Sequence, residues 1–224
     1  MTSPIALSLV VAVCGAGLGL PPAIALGWLL ARARFRGKAL VSAIVLLPLV
    51  LPPVVTGMLL LRALGRRGVV GHALGALGIE IPFTTLGAVI AGLAVGLPLY
   101  VIASRTAFES IDRRLEDVAL SLGMTRAATF RTITLPLAAP GLLAGAVLAF
   151  ARALGEFGAT AVLAGDVPGR TRTIALAVYA ALSSPGGEPD AMRLAMASVI
   201  MSVLALAAHE LLQARHRRRL GGAP

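Results

Sequence analysis

The chain has 224 residues, of which 58% are hydrophobic, 13% charged and 4% aromatic, with a formal net charge of +10. Soluble domains average about 45–50% apolar and about 25% charged residues, so this composition, with a mean hydropathy of +0.90, argues against a water-soluble enzyme, a disordered chain and a disulfide scaffold. The lone Cys14 makes neither an internal disulfide nor a cysteine metal site, and the class that remains is an all-α integral membrane protein.

A helix needs about 20 mostly apolar residues to cross the hydrocarbon core, and five stretches meet that length. The first covers residues 5–30. It lacks a basic start and is too long for a signal core, so it reads as a retained helix. The second covers residues 39–61 and contains Pro48, Pro52 and Pro53, which are expected to bend or break it. The third covers residues 84–103, with Pro98 expected to act in the same way. The fourth covers residues 137–163 and carries Arg152 and Glu156; the fifth covers residues 191–212. A shorter run at 174–182 cannot span alone and reads as a re-entrant or interfacial helix. Residues 1–224 thus form a single transmembrane domain.

Basic residues orient it. With five spans and an outside N-terminus, the inside segments are 31–38, 104–136 and 213–224, and they hold thirteen Arg and Lys residues against six outside. This bias places the C-terminus in the cytoplasm. Arg215, Arg217, Arg218 and Arg219 in the tail suit an anionic cytoplasmic surface. Aromatic residues for base stacking are scarce, so the positive charge does not indicate nucleic acid.

The long inside segment, 104–136, is patterned. Leu115, Val118, Ala119 and Leu122 recur at helical spacing. Asp112 is placed to cap the helix start, with Glu116 and Asp117 near the positive end of the dipole. Gly123 suits the left-handed position that ends a helix. Thr125 is placed to cap a second helix carrying Phe130 and Ile133, which Pro136 is expected to stop. The result is a cytoplasmic helix–turn–helix with an apolar stripe and a charged rim, a surface suited to a groove on a partner.

Asp117-Val118-Ala119, then Gly123, then Ile133 and Leu135-Pro136 resemble the EAA loop of importer-type ABC permeases. Asp117 and Val118 depart from the Glu-Ala of that pattern, while the Gly-to-Pro spacing is kept. Leu49 to Val55, Ala107 to Glu116, Phe150 to Thr160 and Val167 to Thr173 are similar to molybdate permeases, so the likeness extends over about residues 5–212. The stretch from Arg152 to Ala159 is shared with sulfate and thiosulfate permeases. The Pro168-Gly169-Arg170-Thr171 segment and the short N-terminus favour the molybdate branch.

The resemblance implies the type I ABC importer permease fold, with the cytoplasmic loop as a coupling helix. It implies that Glu116, Asp117, Ala119, Leu122 and Gly123 meet an ATPase subunit. It also implies a multi-pass protein of the cytoplasmic (inner) membrane that translocates molybdate or tungstate by alternating access. The implied partners are a second copy of the chain in a homodimer, two ABC ATPase subunits, an external oxyanion-binding protein and membrane lipid. No cofactor is expected on this chain; ATP and Mg belong to the ATPase. The alternatives are a permease for sulfate, thiosulfate or another small oxyanion and, from a different class, an ion-coupled secondary transporter.

The residue chemistry agrees with a transport subunit. No Gly-x-x-x-x-Gly-Lys-Ser/Thr phosphate loop occurs, and His72, His209 and His216 form no metal-ligand pattern. Arg152 and Glu156 lie four apart in the fourth span. Their first reading is an ion pair that fixes packing; the second is an Arg that attracts an anion on its route, where binding must stay weak for conduction. Pro52, Pro53, Thr56, Pro98 and Thr160 complete the candidate pathway or gate; ordinary kinks are an equal alternative for the prolines, and the threonine hydroxyls are more often helix-packing groups.

Overall fold

A computed structural model describes residues 3–219, with side chains as far as residue 214. The basic tail from Arg215 onward therefore lies outside the described side chains, and residues 220–224 lie outside the described structure. Among the described residues there are helices and no strands.

The first helix, α1 (Pro4–Arg32), starts where Ser3 Oγ accepts the Ala6 N–H at 3.2 Å and Pro4 occupies the first turn. It packs along α5 (Thr85–Glu109), which in turn packs along α8 (Leu135–Leu154). Small residues allow this. At Gly27 a methyl group would lie 2.6 Å from the Ser104 Cβ, so only glycine permits α1 and α5 to cross so closely. The last helix, α11 (Glu188–Arg219), lies on α8, and His209 Nδ1 donates to the Ala144 carbonyl at 2.8 Å. Val199, Ile200, Val203 and Leu204 on α11 remain exposed, an apolar surface consistent with lipid contact.

Among the described residues four helices are long and apolar enough to cross a membrane, and a bent pair, α2 (Lys38–Val50) and α3 (Pro53–Leu64), turned by 114°, forms either a broken span or a re-entrant loop. The reason is chemical. Pro52 and Pro53 have no N–H to donate to the Pro48 and Leu49 carbonyls, so the helix ends at Val50 and restarts. Leu51 is extended, at φ −69° and ψ 143°. The short α4 (Val69–Gly75) follows before α5.

Three expectations are corrected. Of the bend or break expected at Pro98 there is no break: it is buried inside the continuous helix α5. Pro136 does not stop the second hairpin helix. Instead α7 (Arg126–Thr129) passes through a π-helical turn, Phe130–Thr134, directly into α8. There Leu135 N–H donates to the Phe130 carbonyl, five residues back, and Pro136 falls in the first turn of α8, where a missing N–H is easily tolerated. The apolar span is thus residues 126–154. The stretch 137–163 is not one helix, because α8 ends at Leu154 and α9 (Gly158–Leu163) begins after a break at Gly155-Glu156-Phe157. The short run expected at 174–182 is α10 (Ile174–Leu182), tied to α1 by Ile174 N–H donating to Ser8 Oγ at 2.8 Å.

Candidate functional site

The first candidate region is the hairpin formed by α6 (Arg113–Ser121) and α7. Its boundaries follow the sequence signals. Asp112 accepts the Arg114 N–H at 2.9 Å, and Thr125 Oγ1 accepts the Ala128 N–H at 3.2 Å. Gly123 sits at φ +87°, the left-handed region that favours glycine, and its N–H reaches the Leu120 carbonyl at 3.0 Å.

The hairpin has two faces. Ala119 is buried against the rest of the chain. Leu115 and Val118 on one side of α6 and Leu122 at its C-terminal cap are 48%, 56% and 79% exposed, and Asp117 is exposed as well. Apolar side chains on a short, strongly amphipathic helix are unusual surface residues unless something covers them. Glu116 turns the other way, toward Arg32 of α1 at 3.0 Å and Thr134 at 2.9 Å. Behind it a groove of about 910 Å³ opens between α1 and the hairpin, lined by Ile24, Trp28, Arg32, Leu120 and Phe130 among others. Trp28 meets Phe130 edge-on with centroids 5.8 Å apart.

The second region lies inside the helical body, where two broken helices meet at their breaks. A methyl group on Gly158 would sit 3.0 Å from the Val54 nitrogen, and one on Gly57 would sit 2.8 Å from the Ala159 Cα. The Pro52–Pro53 break therefore abuts the start of α9. Glu156 holds the other break: Oε1 accepts the Ala159 N–H at 2.7 Å and Oε2 pairs with Arg152 Nη1 at 3.1 Å. Its side chain is 2% exposed, whereas Arg152 is 30% exposed, so the pair has one sealed end and one reachable end. Thr56 and Thr160 are buried in this junction, and Thr56 Oγ1 has no hydrogen-bond partner among the described residues. Pro98 lies three residues beyond Val95, which packs against Ala159 and Leu163. Phe157 in the break meets Tyr179 of α10 with the rings tilted by 50° and centroids 5.2 Å apart.

Arg152 and Glu156 are spaced as one helix turn in the sequence, but Glu156 lies beyond the end of α8 and acts on the next helix as well. Arg32 and Thr134 are functional residues that the sequence patterns do not single out. The signal for Arg32 was weak: it sits at the very end of the apolar run, ahead of three other basic residues.

Comparison with known proteins gives a consistent picture. Residues 23–221 match the family described as binding-protein-dependent transport system inner membrane component. The chain is 47% identical over 220 residues to a molybdenum transport system permease protein of Haemophilus influenzae, covering 98% of this chain and 96% of that protein. It is 47% identical over 216 residues to the corresponding protein of Escherichia coli, covering 96% and 94%. Among solved structures it is similar to a bacterial alginate ABC transporter, with a TM-score of 0.64 at 20% identity over 98% of this chain and 79% of that one. It also resembles the methionine ABC transporter in inward-facing form, with a TM-score of 0.58 at 20% identity over 97% and 91%. These two likenesses speak to the fold.

Proposed function

The chain belongs to the binding-protein-dependent transport system inner membrane components, within their molybdenum permease branch, and from that premise we propose that it is the membrane-spanning subunit of an ATP-driven molybdate or tungstate importer. The observation that carries the reading is the 47% identity to molybdenum permeases over 98% of the chain. The physical counterpart is a hairpin that leaves Leu115, Val118, Asp117 and Leu122 uncovered.

In this reading the hairpin lies in the cytoplasm, with the N-terminus outside. It docks through Leu115, Val118, Leu122 and Asp117 into a cleft of an ABC ATPase subunit, while Ala119 seats it on the permease and Gly123 sets the turn. ATP and Mg are held by the ATPase. Two copies of the chain enclose one pathway, two ATPases close beneath it, and an external binding protein delivers the oxyanion. Closure of the ATPases draws the two hairpins together and rocks the bundle between inward-open and outward-open states.

The junction of the two breaks suits a gate. Next to Pro52, Pro53 and Thr56, Gly57 approaches Ala159 and Gly158 approaches Val54 too closely for an added methyl group to fit without a shift, so a small relative shift there opens or closes the packing as a step. Arg152 stands at this junction through its pair with Glu156, which partly satisfies its guanidinium. An oxyanion passing it meets positive charge without a full set of free donors, which favours passage over trapping.

The reading is tested by ATPase activity in liposomes containing the permease, its ATPase subunits and the binding protein. Molybdate and tungstate are expected to stimulate hydrolysis well above sulfate. Stimulation by sulfate alone would reassign the substrate, and substrate uptake that persists without any ATPase would overturn the mechanism.

A further inference from the structure

We propose that Arg32, Glu116 and Thr134 form a clasp that makes the hairpin move as one body with the cytoplasmic ends of α1 and α8, so that Glu116 is a positioning residue for coupling and not a contact of the ATPase. The proposal rests on the transport reading above.

The geometry is long-range and partly buried, with the Glu116 side chain 19% exposed at the edge of the groove described above. Arg32 is the last residue of α1, and its side chain is 10% exposed. Its Nη2 donates to Glu116 Oε1 at 3.0 Å and to the Ile111 carbonyl at 3.1 Å. The same Glu116 oxygen accepts the Thr134 hydroxyl at 2.9 Å. Thr134 is 2% exposed and closes the π-helical turn that leads into α8. A second strut runs in parallel: Arg113 Nη2 donates to the Ala31 carbonyl at 3.3 Å. One carboxylate oxygen thus joins α1, α6 and the π turn, across sequence separations of 84 and 18 residues.

Force applied to the exposed face of α6 must reach the spans through something. The covalent routes are the α5–α6 turn at Ser110–Asp112 and the turn at Gly123. Among the described contacts, α6 packs on α7 and the π turn. A charge-assisted hydrogen bond shared by three elements in a half-buried site resists separation better than a fully exposed surface ion pair. Because Glu116 points away from Leu115, Val118 and Leu122, its loss leaves the docking face in place and removes the transmission behind it.

The test uses the reconstituted transporter in a Cys14→Ala background, with the pair Arg32→Cys and Glu116→Cys examined before and after bridging by a short bifunctional thiol reagent. The unbridged pair is expected to bind ATPase subunits with parental affinity and to lose about tenfold of the oxyanion-dependent stimulation. Bridging is expected to restore most of that stimulation. Thr134→Val keeps the ion pair and is expected to lose about threefold; it carries the test where the double variant fails to insert. Full stimulation in the unbridged pair or in Thr134→Val overturns the clasp. So does a bridged pair that stays uncoupled, or a loss of ATPase affinity in step with the loss of stimulation, which would return Glu116 to the docking face. A parental transporter that is never stimulated overturns the transport reading and the clasp with it, an outcome read in the parent before any variant is made.

Discussion

Two glutamates turn inward from the ends of this molecule's working parts, and they are held in opposite ways. Glu156 is sealed between neighbours in sequence: it pairs with Arg152 four residues back and caps α9 through Ala159 three residues on. Glu116 is held by residues far away, Arg32 and Thr134, which belong to two other segments. The first arrangement stabilises a local break in a helix; the second fastens a moving part to a frame. The surroundings match. The junction at Glu156 is packed so closely that a methyl group at position 57 would force backbone apart and one at position 158 would press on Val54, while the hairpin leaves its apolar side open. A transporter needs both, a tight element that switches between discrete packings and an open element that receives a partner.

That contrast can be broken by mutation. The largest effect is expected from Glu156→Ala, which leaves Arg152 unpaired and the Ala159 N–H unsatisfied; unfolding in detergent should show a loss of about 3 kcal/mol, discounted because Arg152 is partly exposed. A near-parental stability would mean that the break is not held by this carboxylate. Next is Gly57→Ala, whose methyl group would lie 2.8 Å from the Ala159 Cα and carbonyl oxygen. Backbone must shift to admit it, at a cost of about 1–3 kcal/mol, and transport should fall even where the protein is folded. Gly27→Ala, against the Ser104 Cβ, is the control for a tight crossing outside the junction.

The hairpin should respond the other way. Leu122→Ser is expected to leave stability within about 0.5 kcal/mol, because the side chain is exposed. Its ATPase affinity should fall about tenfold, as for loss of one apolar anchor at an interface. A stability loss with unchanged affinity would mean that the face packs on this chain. Asp112→Ala, which removes the cap at Arg114, is expected to cost about 1 kcal/mol of local helix stability, visible as faster amide exchange in α6 with little change in the spans.

The sequence makes some of this plain and hides the rest, for physical reasons. The spans α1, α5 and α11 were legible because a run of apolar residues long enough to cross a bilayer has few other uses. The hairpin was legible because its signals are local: the caps at Asp112 and Thr125, the left-handed Gly123, and the spacing of Leu115, Val118 and Leu122. The break between Val50 and Pro53 was announced by its prolines. Pro98 and Pro136 misled, because a proline's effect depends on whether nearby packing or a π turn absorbs the missing hydrogen bond, and neither is written in the local sequence. The break after Leu154 was masked by continuous hydrophobicity. Arg32 and Thr134 were invisible as partners of Glu116, since a contact across 84 residues is a product of the fold.

The account's central claim is that the outward side of α6 is where an ATPase subunit docks and drives the bundle. The direct measurement is site-specific crosslinking from Leu122→Cys, in a Cys14→Ala background, in membranes that hold the permease, the ATPase subunits and the binding protein. The account predicts one adduct with the ATPase, formed from the cytoplasmic side and altered when ATP is trapped. An adduct with the external binding protein, or labelling of that cysteine from outside sealed cells, would contradict it.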